Sequence, residues 1–83
     1  MSERHTVEWE PAAQMRAMLL ADDDPDGVLA VFDCTDLLAD DPRPRGPFPY
    51  GPDAVRLQIG LYRVLVEIDD AKRIARITHI GRT

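Results

Sequence analysis

Arg56-Leu57-Gln58-Ile59-Gly60-Leu61-Tyr62-Arg63-Val64-Leu65-Val66-Glu67-Ile68-Asp69-Asp70 is the stretch whose reading decides the fold. Val55, Leu57 and Ile59 return at every second position and alternate with Arg56 and Gln58. Beyond Gly60, Tyr62, Val64, Val66 and Ile68 alternate with Arg63, Leu65 and Glu67. A period of two belongs to half-buried strands, whose successive side chains point to opposite faces. Gly60 permits the turn between them, and so short a connection makes the pair antiparallel. Asp69-Asp70-Ala71-Lys72 reads as a polar turn and Ile74 to Ile80 as a third strand. In that strand Ile74/Ile80 and Ala75/Ile77 compete for the core, so Arg76 is open to either face. With the apolar set turned inward, Arg56 and Arg63 stand on one exposed surface. With Arg82 near the chain end, these guanidinium groups suit a compact phosphate site.

Upstream, residues 42–53 hold five of the seven prolines together with Gly46 and Gly51. So many missing backbone donors predict a loop or extended connector. Tyr50 and Phe48 read as loop anchors within it.

Two helices precede the connector. Asp24-Pro25-Asp26 is a start signal: a cap acceptor, a proline at the first helical position, and an acid at the positive end of the dipole. Val28, Val31, Phe32, Thr35, Leu38 and Ala39 follow the i, i+3, i+4, i+7 spacing of an amphipathic helix, with Asp33 and Asp36 outward and Cys34 partly buried. Before it, Pro11 opens a helix on which Ala12, Met15, Met18 and Leu19 recur at helical spacing, fading at Asp22-Asp23-Asp24. Thr6-Val7-Glu8-Trp9-Glu10 alternates as a short strand. The order β-α-α-β-β-β is that of an α+β domain, with two N-terminal helices packed on one face of a small antiparallel sheet. The 83 residues suit one domain spanning 1–83.

That length excludes a self-contained dinucleotide-binding α/β protein or a barrel. No apolar run approaches the roughly 20 residues of a membrane helix, and Met1 to His5 do not resemble a signal peptide, so a cytoplasmic domain is expected. A lone Cys34 offers no internal disulfide or multi-thiolate zinc site, and no histidine stands at a fixed spacing to make it a nucleophile. Asp22, Asp23, Asp24 and Asp26 lack the spacing of a calcium loop. No metal or cofactor is expected. Charge is uneven: residues 1–42 carry eleven acids against Arg4 and Arg16, a net of −9, whereas residues 43–83 net +4. Any polyanion contact belongs to the second half, and the overall charge of −5 argues against unspecific nucleic-acid binding.

Four stretches, in this order, resemble the RelE/ParE family of type II toxin–antitoxin toxins. Glu8-Trp9-Glu10-Pro11 is similar to the family's first strand running into a proline-started helix, and Leu37 to Pro44 to the end of its second helix. Arg56 to Asp70 resembles its strand–Gly-x-Tyr-Arg–strand signature. Ile77-Thr78-His79-Ile80-Gly81-Arg82 resembles its last strand with the closing glycine. The resemblance implies a RelE/ParE-like fold and a cognate RelB-like antitoxin. It also implies either ribosome-dependent mRNA cleavage without metal or, alternatively, binding to gyrase. A weakly active member kept for antitoxin binding is the remaining alternative.

For the cleaving branch, the resemblance makes Arg63 the contact to the scissile phosphate. Arg56 becomes the first of two basic strand positions, and Arg82 the basic residue after the closing glycine. Gln58 stands where the second basic position is often Lys or Arg. Arg76 and His79 join as substrate-binding candidates, His79 preceding the glycine that the family's histidine usually follows. Tyr62 is expected to pack inward. The first helix has Arg16 alone where the family is commonly rich in bases. The chain ends at Thr83, before the further basic residue and tyrosine usual in cleaving members.

Overall fold

The computed structural model describes residues 4–41, 48–49 and 53–83. β1 (Thr6–Trp9), α1 (Pro11–Asp23) and α2 (Pro25–Asp36), with a 3₁₀ turn at Leu37–Ala39, are followed by β2 (Phe48–Pro49), β3 (Ala54–Ile59), β4 (Tyr62–Asp69) and β5 (Ile74–Arg82). The strands form one sheet in the order β1-β5-β4-β3-β2. β2 to β5 pair antiparallel and β1 lies parallel to β5, so the sheet is mixed. The two helices lead from β1 to β2, which runs opposite to it, and after three further antiparallel pairings β5 runs in the direction of β1. The rest of the proline connector, and the side chains of Phe48 and Tyr50, lie outside the described residues.

The β3–β4 hairpin forms where the period of two predicted it. Ile59 pairs with Tyr62 across Gly60-Leu61, and Gly60 has a φ of 59°. A positive φ at the first of two turn residues matches the right-handed twist of the strands and favours glycine. At the β4–β5 turn the Asp69 carboxylate accepts from the Lys72 N–H at 3.0 Å, and Arg73 has a positive φ of 55°.

Tyr62, Val64, Val66 and Ile68 of β4 are buried, as are Val55 and Leu57 of β3 and Ala75, Ile77 and Ile80 of β5. The helices close over them. α2 contributes Val28, Val31 and Thr35, and Leu38 follows in the 3₁₀ turn, as the helical spacing predicts. Phe32 is half-buried and meets Trp9 at 5.0 Å between ring centroids, tying α2 to the end of β1. Cys34, expected to be partly buried, is exposed. α1 is turned differently from its apolar spacing. Ala13 and Ala17 face the sheet, while Met15, Met18 and Leu19 are 62, 60 and 57% exposed. Small side chains let the helix sit close to the strands, and the bulkier ones at the other positions are left outside. The His5 Nε2 lies 3.1 Å from the Asp70 carboxylate, and its backbone N–H donates to the Ala39 carbonyl.

Asp24 joins the layers. As N-cap of α2 its Oδ1 accepts from the Gly27 N–H at 3.1 Å, and its Oδ2 accepts from the Tyr62 hydroxyl at 2.9 Å. A Cβ at residue 27 would collide with the Asp24 carboxylate, so glycine there lets the cap fold over the first turn.

Candidate functional site

The face of the sheet away from the helices is organised by strand register. Directly opposed residues of neighbouring strands share a face, and alternate residues along a strand return to it. One row across it is Arg56–Leu65–His79, on β3, β4 and β5. The next is Gln58–Arg63–Gly81. On the other side of the first lies Ala54–Glu67–Arg76, continued by Glu8 of β1. Arg56, Gln58, Arg63 and His79 therefore share one end of the face, and Arg76 stands apart among acids. Its Nη2 is 3.7 Å from a Glu8 carboxylate oxygen, and Glu67 is its cross-strand partner.

Arg63 is exposed and makes no ion pair with any described residue. Its guanidinium is a fork of donors held on a rigid strand, suited to an oxyanion with two oxygens in reach. Gln58, its cross-strand neighbour, is turned to local use: its side-chain amide donates to the Gly60 carbonyl at 3.0 Å. Arg56 is half-buried one row away. His79 is exposed, and its Nε2 lies 3.2 Å from the point where a Cβ of residue 81 would stand. The imidazole thus leans over Gly81, the residue that directly opposes Arg63.

Arg82 falls on the opposite face. It pairs with Tyr62 in the helix-facing phase, and its guanidinium carbon is 6.0 Å from the Tyr62 ring centroid. There it joins Asp24. The hydrogen bond from Tyr62, followed by that from Gly27, holds the Asp24 carboxyl below its ordinary value; desolvation opposes this and the charge of Arg82 assists. Burial, then the hydrogen bond to Asp24, pushes the Tyr62 hydroxyl above its ordinary value. Tyr62 packs inward, as alternation predicts.

The phase change has a structural cause. A bulge interrupts the β4–β5 pairing between Leu65 and Val66, where Leu65 opposes His79 but Val66 opposes Ile77. Ala75 and Ile77 face the helices before the extra residue Thr78, and Ile80 does so after it. Both sequence phases are therefore correct, each for half the strand. One extra residue turns every following side chain over.

Beyond Ile77, β1 no longer covers β5, and a recess of about 370 Å³ opens between that edge and the start of α1. Arg16, His79 and Arg82 line it with Ala12, Ala13 and Thr78 among others, and none of the lining residues is acidic. The recess thus brings Arg82 back within range of His79. Sequence reading singled out Arg16 only as the sole base of its helix, and no strand pattern could have placed it here. Among the described residues no three metal-ligating side chains come together, and no helix is long and apolar enough to cross a membrane.

Two helices laid on one face of a mixed sheet, with an exposed arginine on the other, define an α+β domain with one open sheet face. No family model matches the chain, and no curated protein does. Solved structures do. A chain of the toxin–antitoxin complex RelBE2 from Mycobacterium tuberculosis superposes with a TM-score of 0.79 at 23% identity, over 96% of this chain and 99% of that one. A free-state mutant of the E. coli toxin RelE gives 0.79 at 15% identity, over 95% of this chain and 83% of that one. The archaeal RelE–RelB complex from Pyrococcus horikoshii OT3 gives 0.76 at 17% identity, over 99% and 96%. The fold is RelE-like.

Proposed function

We propose that this chain is the toxin of a type II toxin–antitoxin pair, cutting mRNA on the ribosome and silenced by a RelB-like antitoxin. The observation that carries the reading is Arg63, an exposed arginine without an ion pair among the described residues, at the Gly-x-Tyr-Arg position of a RelE-like fold. In metal-free RNA cleavage the 2′-oxygen attacks the adjacent phosphorus and negative charge accumulates on the non-bridging oxygens. A fixed guanidinium aimed at those oxygens stabilises that charge without reorganising. Arg63 fills this role, Arg56 adds positive charge one row away, and Gln58 and His79 border the same phosphate. Arg82 and Arg16, in the recess, are placed for a neighbouring phosphate of the same strand.

The antitoxin partner is supported by the neighbours, two of which are toxin–antitoxin complexes. Met15, Met18 and Leu19 supply the apolar surface that such a segment covers. That ridge also favours a second reading, a ParE-like toxin that binds a protein target such as gyrase through its helices.

Inducible expression of wild type and Arg63→Ala, with mRNA ends mapped by primer extension, separates these readings. The nuclease reading predicts growth arrest with new 5′ ends, both lost in Arg63→Ala. Arrest without new ends transfers the assignment to the protein-binding toxin.

A further inference from the structure

We infer that His79 is the general base of the cleavage, placed by Gly81 opposite Arg63; the inference rests on the nuclease reading above. Three observations converge on it. Leu65 and His79 are cross-strand partners, as are Arg63 and Gly81, so both pairs belong to the sheet face away from the helices. The position opposite Arg63 has no side chain of its own, and the His79 Nε2 lies 3.2 Å from where its Cβ would be. His79 is exposed, and among the described residues neither ring nitrogen has a hydrogen-bond or ion-pair partner, so the imidazole is available to a ligand.

Arg63 and His79 are diagonal cross-strand neighbours, which begin about 7–8 Å apart, and the lean of the imidazole over Gly81 shortens that gap. A phosphate gripped by the Arg63 guanidinium therefore brings its flanking ribose against the imidazole. Imidazole is the side chain best suited to taking up a proton near neutral pH. The charged groups around it are Arg63 and Glu67 on β4, Arg56 on β3, Arg76 and Arg82 on β5, and Arg16 on α1, mostly cations that favour the anionic strand.

In the step itself, Nε2 removes the proton of the 2′-hydroxyl, and the 2′-oxygen forms its bond to phosphorus. The bond from phosphorus to the 5′-oxygen breaks, and that oxygen takes a proton from solvent. The products are a 2′,3′-cyclic phosphate and a 5′-hydroxyl. No oxidant, metal or co-reactant enters. Gly81 is a positioning residue: a side chain there would displace the imidazole from its place facing Arg63.

The test uses the purified full chain on ribosomes programmed with a defined mRNA, comparing wild type, His79→Gln, Gly81→Val and the double variant. Binding to the programmed ribosome is measured in parallel. His79→Gln is expected to slow cleavage about 10²–10⁴-fold with ribosome binding retained. Gly81→Val is expected to slow it too, but to cost nothing further when His79 is already glutamine, because both changes remove the same interaction. Cleavage by His79→Gln at the wild-type rate overturns the role of His79 and leaves the nuclease reading standing. Independent, additive losses in the double variant overturn the positioning role of Gly81. A wild-type protein that binds ribosomes and leaves mRNA intact overturns the nuclease reading and the base assignment with it.

Discussion

Helices α1 and α2 lie on the same sheet yet bury opposite kinds of side chain. α2 and its trailing turn insert Val28, Val31, Thr35 and Leu38, whereas α1 touches the strands through Ala13 and Ala17 and holds Met15, Met18 and Leu19 outside. α2 is anchored by volume and α1 by close approach. The difference teaches that apolar spacing locates a helix, while side-chain size at the contact decides which of its faces goes in. It also gives the molecule two unlike surfaces, an apolar ridge on the helices and a polar, partly cationic face on the far side of the sheet.

The largest effect is expected where volume is removed beneath α2. Leu38→Ala should cost about 2–5 kcal/mol in chemical denaturation, since Leu38 is 1% exposed and its loss leaves a cavity. A smaller cost would mean that the chain collapses into the gap.

α1 should respond to the opposite change. Ala17→Leu, at a position with no exposure, should destabilise by about 1–3 kcal/mol through overpacking. Tolerance of leucine there would show that α1 does not sit as close to β5 as its alanines imply.

The Asp24 link should appear as pH dependence. Its carboxyl is held below the ordinary value of 3.8 in the folded chain, so the stability it contributes is present above that value and fades as pH falls through the folded one. Asp24→Asn should lower Tm at neutral pH and flatten the acid limb of the Tm–pH curve. Tyr62 is raised above 10.0, so its contribution is complete below that value and is lost as pH rises further; Tyr62→Phe should remove that alkaline limb. A variant whose limbs match those of wild type would detach the pair from folding.

The smallest change in stability is expected on the outer ridge. Met18→Ser should stay within about 0.5 kcal/mol of wild type by thermal melting, because the residue is 60% exposed.

The strands were the legible part of the fold. Along β3 and β4 apolar residues recur with period two and bracket a glycine, a pattern no helix reproduces, so the hairpin and its outward face were both legible. α1 was not legible in the same way, because Ala12, Ala13, Met15, Ala17, Met18, Leu19 and Leu20 surround the helix and spacing alone admits more than one buried face. β1 was visible as a strand but not as a parallel one, since four residues carry no record of which edge they join. At the site, Arg56, Gln58 and Arg63 took the positions their alternation predicts. Arg82 did not share their face, because the extra residue at Thr78 leaves no compositional trace and reverses all that follows it. Arg16 needed the tertiary fold to reach β5.

The most direct measurement sets the two surfaces against each other in one assay. Arg63→Ala and Met18→Ser, both confirmed as folded by circular dichroism, are given programmed ribosomes, and the cleavage of mRNA is timed. Arg63→Ala should cut about 10²–10³-fold more slowly than wild type, the loss expected on removing one donor to transition-state charge, while Met18→Ser cuts at the wild-type rate. Cleavage that survives the loss of Arg63, or that fails with the change at Met18, would contradict the assignment of the chemistry to the open face of the sheet.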